Sequence, residues 1–515
     1  MACPQCSPQG RKGHPPCAPC NVATPTPYGE RGGVKLNRRE VLRGGLSALG
    51  FLALDGLPAF AAPQGWKPEK SPNLVFGAIS DTHLRTDVTG KVLGKSFSDR
   101  YLVSALEYFK AQNVDAVVHC GDFAHRGQTM EMQFHADAWR RVFGRSEVPV
   151  KLFVSGNHEF LGADCGDFVQ NIYPDPEERA KHALVTDMAG NWERIWGEKY
   201  EPVWHKEVKG YHFFGRQWDV DESTVVAWMK QQNDAFRLSE GTKPFFMLSH
   251  IYPHTTLNNA VAQMRNAVAF FGHWHNSATN WNEIFYHGYP YIQVPCCKPT
   301  GPIGFSHDEY ITRVKLDGKE AAGVARQGYV VKVYDDMLTI ERREFGEGGS
   351  LGPDWVMPLN WGTGNGERGT AKHPFSKNEL KKVIGEPQFG AVAKLMVGRV
   401  VLNTPQKDTP GGLGTSRPTN RDAIRITIPL ADGNLDSRVY AYELVVVGDE
   451  GSQKLFKAVY AAGVNLGIGH EPNGGVTTLE IPKAELPEGK KLTIAVRPLS
   501  SLGTAGRAIA TTWRV

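Results

Sequence analysis

Between about residues 72 and 345, short apolar runs of strand length alternate with longer stretches of helical period. The runs at 74–79 (LVFGAI), 114–120, 150–154, 244–248 and 268–271 predict buried strands, because apolar side chains there do not alternate with polar ones. Between the first two, residues 99–112 (DRYLVSALEYFKAQ) place Leu102, Leu106 and Phe109 on one face of a helix. Strands alternating with helices predict an α/β domain over residues 62–345. Residues 346–386 lack a sustained period and are rich in glycine, from Gly346 to Gly369, so they read as a linker or long surface crossing. From about 387 to 515 the period becomes two: Ile424, Ile426 and Ile428 alternate with Arg425 and Thr427, and Leu492, Ile494 and Val496 with Thr493 and Arg497. With turn signals such as Ala431-Asp432-Gly433-Asn434, this predicts a smaller all-β sandwich of fibronectin III or immunoglobulin-like size. No internal repeat is visible.

Residues 1–61 read as an address. Arg38-Arg39 precede an apolar run from Gly44 to Leu57, and Ala59-Phe60-Ala61 puts small residues at a cleavage position. The run is about 14 residues long and contains Asp55, too short for the roughly 20 apolar residues of a membrane span. The paired arginines resemble the twin-arginine class of export signal, which implies a bacterial protein folded before export to the periplasm or beyond. No later stretch is long and apolar enough to span a bilayer.

Composition narrows the partners. Of 515 residues, 41% are hydrophobic, enough for two or three packed domains, and glycine and proline are too few and too aperiodic for collagen or wholesale disorder. The net charge is +4, but residues 1–61 hold seven basic and three acidic side chains, which leaves 51 of each in the remainder. A nucleic-acid-binding field is therefore excluded for the mature chain. Cys3, Cys6, Cys17 and Cys20 have the paired spacing of a zinc–thiolate site, and a disordered leader or an early start codon accounts for them as well. Cys120, Cys165, Cys296 and Cys297 do not form a disulfide framework.

The chemistry lies at the ends of the predicted strands. Asp81-Thr82-His83, Gly121-Asp122, Gly156-Asn157-His158-Glu159, His250 and Gly272-His273-Trp274-His275 each begin where one of the five buried runs stops. In open α/β sheets those ends converge on the ligand crevice. Taken singly, each has a structural explanation, as a cap, a tight turn or a core histidine. Five in succession at strand ends point instead to one constellation.

That constellation resembles the calcineurin-like metallophosphoesterase superfamily, whose series is D-x-H, GD, GNH(D/E), H and GHxH. The resemblance implies a four-layer α/β/β/α sandwich holding two divalent or trivalent transition-metal ions. Carried over, Asp81, His83, Asp122 and His275 would hold one ion, and Asp122, Asn157, His250 and His273 the other. Oxygen and imidazole donors without thiolate suit Mn, Fe or Zn. A shared carboxylate can hold two ions about 3.5–4 Å apart, clamping both oxygens of an in-line displacement. The implied reaction is hydrolysis of a small phosphate ester by hydroxide bridging the ions, with no covalent phospho-enzyme and with Asp122 and His158 as the catalytic pair.

His158 would face the phosphate, as charge stabiliser or proton donor. Gly121 to Gly127 (GDFAHRG) is similar to the GDxxDRG loop of the serine/threonine phosphatases and puts Arg126 at a phosphate-binding position, although His125 replaces the second Asp of that loop. A surface or ion-pairing arginine is the alternative. His125 also stands where purple acid phosphatases carry a metal-bound tyrosine, so the site looks closer to the phosphodiesterase and nucleotidase branches. His254, in HIYPH, is a weaker candidate that either touches substrate or decorates the loop, and residues 160–242, with Trp192, Trp196, Trp204, Trp218 and Trp228, either roof the crevice or fill the core. The expectation is an exported phosphodiesterase. The alternatives are a phosphomonoesterase or nucleotidase, and a non-catalytic protein whose sandwich domain contacts glycan or envelope.

Overall fold

The computed structural model describes residues 70–85, 100–162, 174–297 without 265 and 287, 326–359 without 336, 347 and 353, 384–404, 419–432, 439–449 and 454–515, with residues 311–312, 315–316, 319–320 and 381. The leader 1–61, including Cys3, Cys6, Cys17 and Cys20, lies outside them, as does Cys165.

The five apolar runs are strands. β1 (Leu74–Ile79), α1 (Arg100–Ala111), β2 (Ala116–Cys120), α2 (Thr129–Phe143) and β3 (Val150–Val154) form two successive parallel crossovers. α3 (Pro176–His182) and α4 (Met188–Trp196) follow, then the hairpin β4 (Val203–Val208) and β5 (Tyr211–Arg216). α5 (Glu222–Phe236), β6 (Phe245–Ser249), α6 (Thr255–Val261), β7 (Ala267–Phe271), β8 (Ile284–Tyr286) and β9 (Pro290–Gln293) complete the second half. β10 (Gln327–Val333), β11 (Met337–Glu344) and β12 (Trp355–Pro358) return to the first sheet. The result is two mixed six-stranded sheets, ordered β12-β11-β10-β1-β2-β3 and β4-β5-β6-β7-β9-β8.

Strand alternation sorts the side chains between cores. Leu74, Phe76, Ala116 and Val118 of the first sheet share one cluster with Phe213, Phe246, Val268 and Phe270 of the second. Phe76 stands edge-on to Phe213, Phe246 and Phe270 at 5.5, 5.1 and 5.7 Å. The opposite side chains, such as Val117 and Phe153, pack with Leu102, Leu106 and Phe109 of α1 and Trp192 and Trp196 of α4. Phe214, Met247 and Phe271 pack with Val225 and Met229 of α5 and Leu257 of α6. The helical face expected at Leu102, Leu106 and Phe109 is fully buried. The described cysteines Cys120, Cys296 and Cys297 are buried.

One reading needs correction. Trp355–Pro358 falls in the glycine-rich stretch read as linker, yet it is the edge strand of the first sheet, with Leu338 paired to Met357 and Ile340 to Trp355. Trp355 and Met357 enter the inter-sheet core. Four residues show only two alternations, too few to stand out among glycines before a partner strand supplies the hydrogen bonds.

The C-terminal region is β-rich. β13 (Met396–Thr404), β14 (Thr419–Ile428) and β17 (Thr477–Pro482) form a three-stranded sheet. β15 (Ala441–Gly448), β16 (Lys454–Tyr460), β18 (Lys491–Leu499) and β19 (Ile509–Arg514) belong to a five-stranded one. Ile424, Ile426 and Ile481 from the first meet Leu444, Ile494 and Val496 from the second in one cluster. The region is tied to the preceding domain: Gln327 Nε2 donates to the Asn465 carbonyl (2.7 Å), the Trp281 N–H to Ser501 Oγ (3.0 Å) and the Ile468 N–H to the Ser350 carbonyl (2.7 Å). Among the described residues no helix is long and apolar enough to cross a membrane.

Candidate metal centre

Each loop that leaves β1, β2, β3, β6 and β7 turns at once, and backbone hydrogen bonds hold the turns together. The Asp81 N–H donates to the Gly121 carbonyl (2.9 Å), the His83 N–H to Asp122 (3.0 Å), the Leu84 N–H to Phe123 (2.9 Å) and the Gly272 N–H to His250 (3.0 Å). Asp81, His83, Asp122, His273 and His275 all adopt positive φ, between 45° and 74°. Non-glycine residues avoid that region, and such strain persists only where its surroundings impose it. Half of the ten described non-glycine residues with positive φ are thus in this one cluster. Glycines allow the loops to approach: a Cβ at Gly156 would overlap the Asp122 carboxylate, and one at Gly272 would overlap Ser80 Oγ.

Two groups of donor atoms result, sharing Asp122. In the first, Asp81, His83, Asp122 and His275 gather, with His275 Nε2 at 3.0 Å from Asp81 Oδ1 and 3.1 Å from His83 Nε2, and His83 Nε2 at 3.5 Å from Asp122 Oδ2. In the second, His250 Nε2 lies 3.0 Å from Asn157 Oδ1, 3.1 Å from His273 Nδ1 and 3.3 Å from Asp122 Oδ2. Donors about 2.0–2.2 Å from a common ion stand roughly 3.0–3.5 Å from each other, so both groups have the spacing of a first coordination sphere. Asp122 Oδ2 faces both groups, while its Oδ1 accepts from the His158 N–H at 2.9 Å. The donors are imidazole, carboxylate and one amide oxygen, which fits a borderline transition-metal ion. All seven expected ligand residues are therefore brought together.

Supporting bonds orient them. His250 Nδ1 donates to the Cys120 carbonyl at 2.6 Å, which aims Nε2 inward. Asp81 Oδ2 accepts from Ser80 Oγ (2.5 Å) and the His273 N–H (3.0 Å), leaving Oδ1 for His275. Glu159, fully buried, was not singled out from the sequence. Its carboxylate accepts from the backbone N–H groups of Asp122 (3.0 Å), Ala124 (2.9 Å) and Gly156 (2.7 Å) and so clamps two ligand loops. Burial, then the charge of Asp122, pushes its pKa up to about 8. Its place in GNHE was the available signal.

The remaining candidates separate. His158 Nδ1 pairs with the His125 carbonyl at 2.7 Å, and its Nε2 lies 3.9 Å from Asp122 Oδ2. The rings of His83 and His158 are 4.4 Å apart, and His125 stacks on His158 at 5.8 Å. Leu84 and Ala124 form a parallel bridge, which sets the segment carrying Arg85 beside that carrying Arg126. Burial pushes the pKa of Glu131 up to about 8, and the charges of Arg126 and Arg85 oppose that rise. Arg85 was missed because a single arginine two residues past a ligand carries no pattern. His254 is exposed at the residue before α6 and, among the described residues, makes no hydrogen bond to the cluster. Of the five tryptophans, Trp192 and Trp196 fill the helix-side core, Trp204 the inter-sheet core, and Trp228 packs behind the second sheet. Trp218 is the one that walls the centre, 5.8 Å from the His250 ring and 6.0 Å from that of His273.

The electrostatics of the metal-free cluster lead to a pH prediction. Burial would lower the pKa of His250, but the Asp122 carboxylate outweighs it and raises the value to about 9. His273, buried beside His250, falls to about 4. Burial would raise Asp122, yet the facing His250 and His158 hold it below the ordinary carboxylate range. A raised His250 contributes stability in full below about pH 6.5, its unperturbed value, and loses it as pH rises through about 9. A depressed Asp122 contributes above about pH 4 and fades as pH falls through its folded value. An ion must displace the His250 proton, so metal affinity should rise about tenfold per pH unit from 7 to 9 and then level. Calorimetry in buffers of different ionisation enthalpy should detect about one proton released at pH 7; no release would contradict the assignment of His250.

Residues 74–277 match the family model of the calcineurin-like phosphoesterases. No curated protein sequence matches the chain. Among solved structures, a purple acid phosphatase from yellow lupin (Lupinus luteus) seeds is 13% identical, with 57% of this chain and 55% of that one covered and a TM-score of 0.33. A novel archaeal phosphodiesterase is 14% identical over 53% of this chain and 98% of its own, with a TM-score of 0.24. A predicted phosphoesterase from Streptococcus pneumoniae is 11% identical over 55% and 97%, with a TM-score of 0.26.

Proposed function

We propose that this protein is an exported phosphoesterase that uses a pair of transition-metal ions to hydrolyse small phosphate esters, phosphodiesters ahead of monoesters. The observation that carries the reading is the convergence of seven ligand side chains from five strand ends on two groups sharing Asp122. Asp81, His83, Asp122 and His275 would hold one ion, and Asp122, Asn157, His250 and His273 the other. Mn, Fe or Zn suits that donor set. Ions bound there supply Lewis-acid polarisation of the phosphoryl group and a water activated near neutral pH. The layering of sheets and helices is taken as α/β/β/α, as the family resemblance implies.

The chain's own residues do the rest. Asp122 sets the spacing of the two positions through Oδ2. His158 presents Nε2 to the substrate because Nδ1 is engaged by the His125 carbonyl, so the proton it delivers to the leaving oxygen comes from Nε2. Arg126, with Arg85 alongside, adds positive charge for phosphoryl oxygens. Trp218 excludes water on the His250 side and offers a flat surface to the esterified group. His254 is assigned to the outer part of the substrate.

Export rests on Arg38-Arg39, the apolar run and Ala59-Phe60-Ala61, and loading of metal before folded export suits the site. The β-rich C-terminal region is assigned to envelope or glycan contact.

Purified full-length chain should carry two ions and hydrolyse bis(p-nitrophenyl) phosphate faster than p-nitrophenyl phosphate. His158→Ala should lower kcat by about 10²–10⁴-fold while both ions stay bound. Two bound ions with neither ester hydrolysed would sink the proposal, and the reverse preference would select the monoesterase reading.

A further inference from the structure

His119 lies in β2 between Val118 and Cys120, at a position where a strand packed on both faces calls for an apolar residue. It is completely buried, and its ring lies 3.7 Å from Phe123 in a near-parallel stack, with Phe153 edge-on at 6.2 Å. A leucine would fill such a slot without the desolvation cost of an imidazole, so the two ring nitrogens need a reason to be there. Both have partners. Nδ1 lies 3.2 Å from the Gly121 N–H, and Nε2 lies 3.2 Å from Thr82 Oγ1.

These partners dictate the tautomer. A backbone amide can only donate, so Nδ1 is the acceptor and carries no proton. A buried neutral ring then carries its proton on Nε2, which donates to Thr82 Oγ1. Burial, followed by the neighbouring His135, favours that neutral form. With one lone pair occupied, the Thr82 hydroxyl turns its own hydrogen towards the carbonyls of Asp122 (3.5 Å) and Phe123 (3.4 Å). A closed chain of polar contacts therefore runs from the Gly121 amide through the imidazole and Thr82 back to the Asp122 backbone. It crosses from one ligand loop to the other, beneath three residues held at positive φ: Asp81, His83 and Asp122.

We propose that His119 is a positioning residue for the metal centre: through Gly121 and Thr82 it locks the loop bearing Asp81 and His83 against the loop bearing Asp122, in the geometry that lets one carboxylate serve two ions. It contributes no donor atom to either ion. The inference rests on the reading of the cluster as a metal centre, but not on which ester is hydrolysed. Its absence from the sequence reading is understandable, because a histidine within an apolar run looks like a strand residue until the loops fold back over it.

Metal affinity provides the test. Full-length wild type, His119→Leu, His119→Asn and Thr82→Val would be titrated with Mn²⁺ against a competing chelator, and the metal-free forms melted in parallel. His119→Leu should weaken binding by about 10–100-fold, the usual loss when a partner behind a ligand is removed. His119→Asn, whose Oδ1 can accept from the Gly121 amide, should recover part of that loss. Thr82→Val should weaken binding by itself and add little to His119→Leu, since both cut the same bridge. If His119→Leu does not fold, Thr82→Val, which preserves side-chain shape, decides the matter by the same criterion.

Wild-type affinity in Thr82→Val and in either foldable His119 variant would overturn the proposal. So would equal, additive losses that follow the melting temperature with no rescue by asparagine. Failure of wild type to bind Mn²⁺ at all would overturn the metal-centre reading and this inference with it. Two ions bound without ester hydrolysis would count only against the proposed activity.

Discussion

Asp122→Ala is expected to lose both ions and with them at least about 10³-fold in turnover. The ions' stabilisation of transition-state charge is worth several kcal/mol, and each 1.36 kcal/mol is a factor of ten. No other substitution removes a donor from both groups, because Asp122 Oδ2 alone faces His83 on one side and His250 on the other, at 3.5 and 3.3 Å. The same carboxylate is the counter-charge that holds the His250 pKa near 9, so the variant should also lose the proton release at pH 7. Asp122→Asn is the informative partner, since its amide oxygen can still accept from the His158 N–H while the charge is gone. Metal content by mass spectrometry and turnover of aryl phosphates would check both. An alanine variant with two ions and wild-type turnover would dismantle the shared-ligand geometry.

The second large effect should come from a residue that reaches no ion. Glu159→Ala strands three buried N–H groups, those of Asp122, Ala124 and Gly156, which the carboxylate now accepts at 2.7–3.0 Å. An unsatisfied buried donor costs about 1–3 kcal/mol, so the expected destabilisation is about 3–5 kcal/mol even if water enters to meet one of the three. Glu159→Gln should fall between, since it retains one acceptor oxygen and turns an NH₂ towards an amide donor. Urea denaturation of the metal-free proteins would measure the difference. Because Glu159 holds the Asp122 loop against the Asn157 loop, metal affinity should fall with stability in both variants. Stability within 1 kcal/mol of wild type for the alanine variant would mean the carboxylate is not the acceptor these amides depend on.

How much could be read in advance depends on how local each signal is. The strand ends at Ile79, Cys120, Val154, Ser249 and Phe271 were legible to within a residue or two, because a buried parallel strand is a run of apolar side chains and its end is where polar ones begin. The clustered acids, amide and imidazoles were legible as candidates for the same reason: each follows such an end, and their spacing forms a series. Trp355–Pro358 was not, since a short edge strand among glycines has no pattern of its own and acquires its structure from β11. The tryptophans of 160–242 were equally opaque. Their composition admits both roof and core, and only packing placed Trp192, Trp196 and Trp204 inside and Trp218 beside His250.

Sequence alone determined which side chains could carry the chemistry and in what order they meet the ends of the sheet, because hydrophobic period and motif spacing are properties of neighbours along the chain. Tertiary structure alone decided which Asp122 oxygen faces both groups, that Glu159 and His119 hold its loop from below, and that Arg85 comes to lie by Arg126. Within the cluster such relations join atoms as many as 194 residues apart, such as His275 Nε2 and Asp81 Oδ1. They exist only once strands pair and loops are forced into conformations that no residue prefers by itself.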